Sequence, residues 1–308
     1  MKKSKPLQSG ITSTNGTIVS AHCDWISATY KNDHTRSGKA NVLPDDHASG
    51  FSIIRANNGY DTAKQYRSGA IEQWNSKHPD MGIHVTYTAQ ALREAQVNFN
   101  VDANGILDYI MLGAKITRLD VCLDIENAEI DIRQLHADLV SGKAKTRATT
   151  FDFMERAKKG QESGAMTTYV GSMKKRKKLL RVYDKGKQLG LDTLLTRFEL
   201  ETHGTIANNA AIILQSDMSD NGKIIAGMIK GYADFSGTHV GKYFEADEIK
   251  IALPKYQKSD TAKWLIEVVA KTLANEAYRD YNVKETFEQY FQFHYNNLIN
   301  SEDYNENH

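Results

Sequence analysis

Apolar and polar residues alternate most clearly in three stretches. In Thr117 to Ile125 (TRLDVCLDI), Leu119, Val121, Leu123 and Ile125 fall on one side of a strand, and Arg118, Asp120, Cys122 and Asp124 on the other. In Leu195 to Thr202 (LTRFELET), Phe198 and Leu200 take the core side, opposite Arg197, Glu199 and Glu201. In Leu179 to Lys185 (LLRVYDK), Leu180 and Val182 oppose Arg181, Tyr183 and Lys185. The β-branched and aromatic run Ile18 to Tyr30 predicts a first strand, with shorter strands over Ser52 to Arg55 and Gly82 to Ala89. Met166 to Ser172 pairs with Leu179 to Lys185 as a hairpin joined by Met173 to Lys178.

Helical spacing predicts Thr62 to Trp74, Ala89 to Phe99, Asp131 to Ser141, Ala207 to Gln215, Lys223 to Gly231, Thr261 to Ala277 and Val283 to Ile299. Asn32 to Asp46 is polar, with Gly and Pro, and reads as a loop. Strands come mostly before helices and proline is scarce. The fold class expected is therefore α+β, a mainly antiparallel central sheet with packed helices. Residues 1–16 read as a flexible N-terminus, 17–240 as one main domain, and 241–308 as a helical segment on or after it.

Composition narrows the setting. Only Cys23 and Cys122 are present, which argues for a reducing compartment and against a disulfide framework or a zinc cluster. No apolar run reaches the roughly 18–20 residues of a membrane span. The basic start leads into a polar run rather than a secretory signal, so the expected location is cytoplasmic, with no membrane partner. The net charge of +1 hides an asymmetry. Gly142 to Gly190 carries fourteen Lys/Arg against four acids, whereas Lys242 to His308 carries eight against twelve. A basic middle suits a local polyanion site.

The polar strand faces suggest chemistry. Asp120, Asp124, Glu199 and Glu201 on neighbouring strands would form a hard-oxygen pocket for Mg²⁺ or Mn²⁺. Tyr183, flanked on its face by Arg181 and Lys185, is placed to meet a phosphate, with the cations lowering its phenol pKa. The run Lys174, Lys175, Arg176, Lys177 and Lys178 at a hairpin tip would grip DNA phosphates. Arg197 either supports a phosphate or pairs with a carboxylate. Taken singly, these features also fit solvated strand faces, sheet packing and a solubility run, and spacing alone does not separate the readings.

In order along the chain, the segments resemble the replication initiation factor family, which includes rolling-circle plasmid initiators, relaxases of conjugative elements and replication proteins of filamentous phages. The resemblance rests on Cys23-Asp24-Trp25-Ile26, Gly82-Ile83-His84-Val85, the strand Thr117 to Asp124, the double signature Thr167 to Ser172 and Arg181 to Gly186, Arg197 to Glu201, and Trp264-Leu265. Thr88-Ala89 departs from the family's usual Ser-Gly.

The resemblance implies a nicking-enzyme fold in which 17–240 is the catalytic domain. It implies metal-dependent cleavage of one DNA strand at an origin, with Tyr183 as nucleophile in a 5′-phosphotyrosine intermediate. Tyr169 is the rival nucleophile, and Asp24 is a further ligand candidate. The histidine-hydrophobic-histidine metal motif of many nickases is absent, so a carboxylate-rich site is expected. DNA is the expected partner, with a host helicase and a second copy of the chain as further candidates. The alternatives are a relaxase, an inactive DNA-binding regulator on the same scaffold, and a nuclease that uses water.

Overall fold

The structure is a computed structural model and describes residues 9–11, 16–31, 50–111, 113–157, 159, 164–174, 177–216, 221–244 and 246–251. Strands β1 (Ser9–Ile11) and β2 (Ile18–Tyr30) are followed by β3 (Phe51–Ile54), β4 (Thr62–Tyr66), β5 (Ile71–Trp74) and β6 (Ile83–Thr88). Helices α1 (Ala89–Phe99) and α2 (Ala103–Met111) lead to β7 (Lys115–Glu126), α3 (Ile132–Val140), β8 (Lys145–Thr146) and β9 (Phe151–Arg156). Then come β10 (Ala165–Val170), β11 (Lys178–Asp184), the short α4 (Lys185–Leu189) and β12 (Leu195–His203). Helices α5 (Thr205–Ser216) and α6 (Asn221–Tyr232) and strand β13 (Ala233–Asp234) follow.

Eleven strands form one sheet in the order β3-β4-β5-β6-β2-β7-β12-β11-β10-β9, with β1 added beside β2. The pairs are antiparallel. The expected α+β class with a large antiparallel sheet is what the chain adopts. Within the stretch expected to be flexible, Ser9–Ile11 form β1, whose backbone pairs with Val19 to Ala21.

The core lies on one face of the sheet. Leu119, Val121, Leu123, Ile125, Leu180, Val182, Phe198 and Leu200 are almost fully buried there, with side chains of α5 and α6 such as Leu214 and Met228. Period-two alternation sends their sequence neighbours to the opposite face, which is how the hydrophobic pattern creates the polar face. Phe198 meets Phe235 and Phe244 edge-on, at centroid distances of 5.4 and 5.0 Å. Phe244 and Ile251 are thus core residues, and the compact unit extends to Leu253. The second unit, Pro254–His308, lies outside the described residues, as do the helices expected at 261–277 and 283–299, the loop over 32–46 and Trp264.

One expected helix is instead a hairpin. Thr62 to Trp74 forms β4 and β5, with Thr62 opposite Trp74. The turn closes with Gly69 N donating to Tyr66 O and Tyr66 N to Ala70 O, both at 2.9 Å. Gly69 has a φ of +89°, open to glycine and costly for other residues, which breaks the helical reading. β3 and β6 pair on either side, so the ladder absorbs backbone groups that an isolated helix would have to satisfy alone. The pattern also missed α2 and β9.

Side-chain caps start two of the helices. Asp131 Oδ1 accepts from Arg133 N and Gln134 N at 2.9 Å at the start of α3, and Thr88 Oγ1 accepts from Ala91 N at 3.4 Å at the start of α1. Among the described residues no helix is long and apolar enough to cross a membrane.

Candidate active site

Polar residues of the central strands meet on the face opposite the core. The antiparallel register sets them in rows. Asp124, Arg197 and Tyr183 lie side by side across β7, β12 and β11, and Cys122, Glu199 and Arg181 form the next row. Asp120 and Glu201 pair in the row after that. The four carboxylates expected to share a metal fall into two groups, because arginines stand between them.

The first group surrounds Arg197, which is only 4% exposed. Its Nε and Nη2 donate to Asp124 Oδ1 and Oδ2 at 2.6 and 2.7 Å. Nη2 also donates to His22 Nε2 at 3.0 Å. Nη1 lies 3.0 Å from Asp24 Oδ1, an ion pair without hydrogen-bond geometry. Asp24 reaches this place through a bulge: the β2–β7 register slips between Cys23 and Trp25, leaving Asp24 as the extra residue. Burial pushes the Asp24 carboxyl up, but the nearby His22 imidazole, 3.8 Å away, and the Arg197 charge outweigh it and hold the group well below the usual range. His22, Asp24 and Cys122 each offer a ligand atom within 4.8 Å of the others. Beside them a cleft of about 140 Å³ opens, walled in part by Arg93 and Asn104.

The second group holds Asp120, Glu199 and Glu201, all at most 5% exposed. Arg118 forks onto Asp120, with Nε to Oδ1 at 3.0 Å and Nη2 to Oδ2 at 2.6 Å, and also reaches Glu201 Oε2 at 3.2 Å. Arg181 Nη2 donates to Glu199 and lies 3.4 Å from Glu201 Oε2 and 3.9 Å from Asp120 Oδ2. His203 Nε2 stands 2.7 Å from Glu201 Oε1. Burial pushes the Asp120 carboxyl up to about 6; Arg118 opposes this, and the charges of Glu199 and Glu201 reinforce it.

Tyr183 bridges the two groups. Its hydroxyl donates to Glu199 Oε2 at 2.7 Å, and Lys185 Nζ sits 5.6 Å from the ring centroid. The expectation that Arg181 and Lys185 depress the phenol pKa is corrected here. Burial raises it, the charge of Glu199 raises it further, and Arg197 pulls the other way without prevailing. Arg181 is already matched by Glu199 and Glu201, and Lys185 lies over the ring rather than on the oxygen, so their pull does not offset burial and the Glu199 charge. Tyr169 faces Arg181 across β10 and β11, one strand farther from Glu199. Asp184 accepts from Lys187 N at 2.8 Å and caps α4 directly after the tyrosine, fixing the end of β11.

Of the basic run, Lys174 and Lys177 are exposed and Lys178 is half-buried; Lys175 and Arg176 lie outside the described residues. Arg197 takes the carboxylate-pairing alternative. Sequence reasoning left His22, Arg118 and His203 without a role. His22 stands two residues before Asp24 in a predicted strand, a spacing that already signals a shared face. His84, in the Gly-hydrophobic-His segment, is outside both groups. It bonds Thr29 Oγ1 at 3.0 Å and stacks on Tyr60, and burial pulls its pKa down to about 4.

The fold is similar to the structure of a rolling circle replication initiator protein from Geobacillus stearothermophilus, with a TM-score of 0.60 and 20% identity over 76% of this chain and 93% of that one. Residues 114–290 match the family model of the replication initiation factor. The chain belongs to the replication initiation factor family. No curated protein sequence matches it.

Proposed function

We propose that this protein starts rolling-circle replication by nicking one DNA strand at an origin and later rejoining it, with Tyr183 as the nucleophile. The observation that carries this reading is the 2.7 Å hydrogen bond from the Tyr183 hydroxyl to Glu199 Oε2. As the phenol oxygen attacks phosphorus, its proton passes to Glu199, which is already in hydrogen-bond contact. The bond from phosphorus to the 3′ oxygen breaks, leaving a 5′-phosphotyrosine and a 3′ end that takes a proton from solvent. Rejoining reverses each step. A phenol kept protonated by burial, next to a positioned acceptor, is deprotonated only when a phosphate is there to attack. Arg118 and Arg181 hold Glu199, Glu201 and Asp120 in a fixed array, and Lys185 stands near the ring to meet phosphate oxygens.

The donors that best fit a hard divalent ion are His22 and Asp24, the more solvent-open pair, with Asp124 bonded to the same arginine. Burial pushes the Cys122 thiol well up, so it stays protonated and is a poor partner for Mg²⁺ or Mn²⁺. Asp120, Glu199 and Glu201 are already engaged by Arg118 and Arg181 and serve the tyrosine instead. When bound, an ion held by His22 and Asp24 would supply charge neutralisation at the scissile phosphate.

The test compares wild type with Tyr183→Phe on supercoiled DNA bearing the element's own origin, with Mg²⁺ or Mn²⁺. The expected result is nicked circles and protein-linked DNA for wild type and neither for the variant. Nicking by Tyr183→Phe with an adduct would move the role to Tyr169, and nicking without one would move it to water.

A further inference from the structure

A separate cleft, basic and of about 770 Å³, opens at the other end of β11 from Tyr183. Lys178 and Tyr183 are five residues apart in one strand, which places them on opposite faces and about 17 Å apart along it. The cleft lies between the β10–β11 connection, β8 with the residues after it, and the end of α6.

Its floor is rigid. Tyr232 Oη donates to Val170 O at 3.1 Å, and Thr146 Oγ1 donates to Tyr232 O at 2.8 Å. Gly171, with a φ of +106°, lies so close that a Cβ there would sit 2.4 Å from Tyr232 Oη, so the motif glycine admits the tyrosine.

The walls carry six cations, Lys145, Arg147, Lys177, Lys178, Lys230 and Lys250, against Asp234 and Glu248. Lys230 Nζ is engaged by Ala246 O at 2.8 Å, and Lys250 lies 3.7 Å from Glu248. Among the described residues no carboxylate comes within ion-pair reach of Arg147, Lys177 or Lys178. Lys178 is half-buried with its Nζ 5.2 Å from the Tyr232 ring centroid, and burial and then Arg147 push its pKa down. Like charges gathered without a counter-ion cost stability, and an anion in the cleft would relieve that cost. The hydroxyls of Thr149, Thr150 and Ser172 add donors for phosphate oxygens.

We propose that this cleft binds the sugar–phosphate backbone of a DNA segment that flanks the nick, as a second grip on the substrate of the Tyr183 site. The proposal rests on the DNA-nicking reading above. An open cleft whose cations Arg147, Lys177 and Lys178 come from two chain segments suits a polyanion strand.

The test uses the full chain with the exposed pair Lys145→Ala/Arg147→Ala, and with Arg147→Gln alone as a milder variant that removes one charge. DNA binding is measured by fluorescence anisotropy across a salt series, on a short oligonucleotide covering only the nick and on a long one carrying flanking sequence. The expected result on long DNA is an affinity loss of roughly tenfold or more, with the slope of log affinity against log salt shallower by about 2 for the pair and about 1 for Arg147→Gln. On short DNA the variants should match wild type. Equal losses on both lengths, or none on either, would overturn the proposal. Displacement of a labelled nucleotide by inorganic phosphate, with no effect on long DNA, would assign the cleft to a free phosphate ligand and also overturn it. If wild type binds long DNA through these residues but does not nick, the cleft stands and the nicking reading falls.

Discussion

The Tyr183 hydroxyl and the Glu199 carboxylate share a hydrogen bond of 2.7 Å across adjacent strands, with Arg181 on the same carboxylate. Tyr183 lies opposite Arg197 in the β11–β12 register, and Arg181 opposite Glu199, so the contact is a diagonal between two rows. This geometry makes Glu199 the acceptor of the phenol proton in the proposed reaction. Glu199→Gln keeps the shape and removes the basic oxygen. Single-turnover nicking should slow by about 10²-fold or more while DNA affinity stays near wild type. A rate equal to wild type would remove Glu199 from the proton path.

His22 and Asp24 are expected to bind the divalent ion. Adding Mn²⁺ should raise the melting temperature of wild type, since an ion that binds only the folded state stabilises it by mass action. His22→Ala and Asp24→Asn should each lose that shift, while Asp120→Asn should keep it. A shift retained in both of the first two variants would place the ion elsewhere.

Two groups, buried Asp120 and half-buried His84, should make stability depend on pH in opposite directions. Asp120, raised from 3.8 to about 6, holds its proton longer when folded than when unfolded, so its contribution to stability falls as pH rises from about 4 to about 6. His84, lowered from 6.5 to about 4, stays neutral when folded, so its contribution is full above about 6.5 and is lost as pH falls toward about 4. Chemical denaturation of wild type, Asp120→Asn and His84→Gln across this range separates them. The difference between wild type and Asp120→Asn should slope one way with pH, and that between wild type and His84→Gln the other.

Phe198→Ala should cost about 3–5 kcal/mol in urea unfolding, because it empties a fully buried site between Phe235 and Phe244. Phe244→Ala should be destabilising too, since residues after 240 contribute to the same core. A loss below about 1 kcal/mol for Phe198→Ala would mean that this aromatic cluster is not formed.

The sequence by itself determined the strands that carry the site and the side chains on their polar faces. Alternation in β7, β11 and β12 is a local property, written in every second residue, and it survives any choice of neighbours. The same holds for the helix start at Asp131, where one side chain answers its own helix. The hairpin over Thr62 to Trp74 is not legible locally because TAKQY and IEQW carry few β-branched residues, and their strand state comes from pairing with β3 and β6. Only the tertiary structure decided which carboxylate meets which cation. Strand order and register place Arg197 beside Asp124, set Arg118 and Arg181 among Asp120, Glu199 and Glu201, and bring His22 onto Arg197 from 175 residues earlier. The bulge that turns Asp24 toward Arg197 depends on a one-residue slip against β7. Tyr183 shows the same division. Its flanking cations were legible, but the direction of its pKa shift depended on burial and on Glu199, which are properties of the packed sheet.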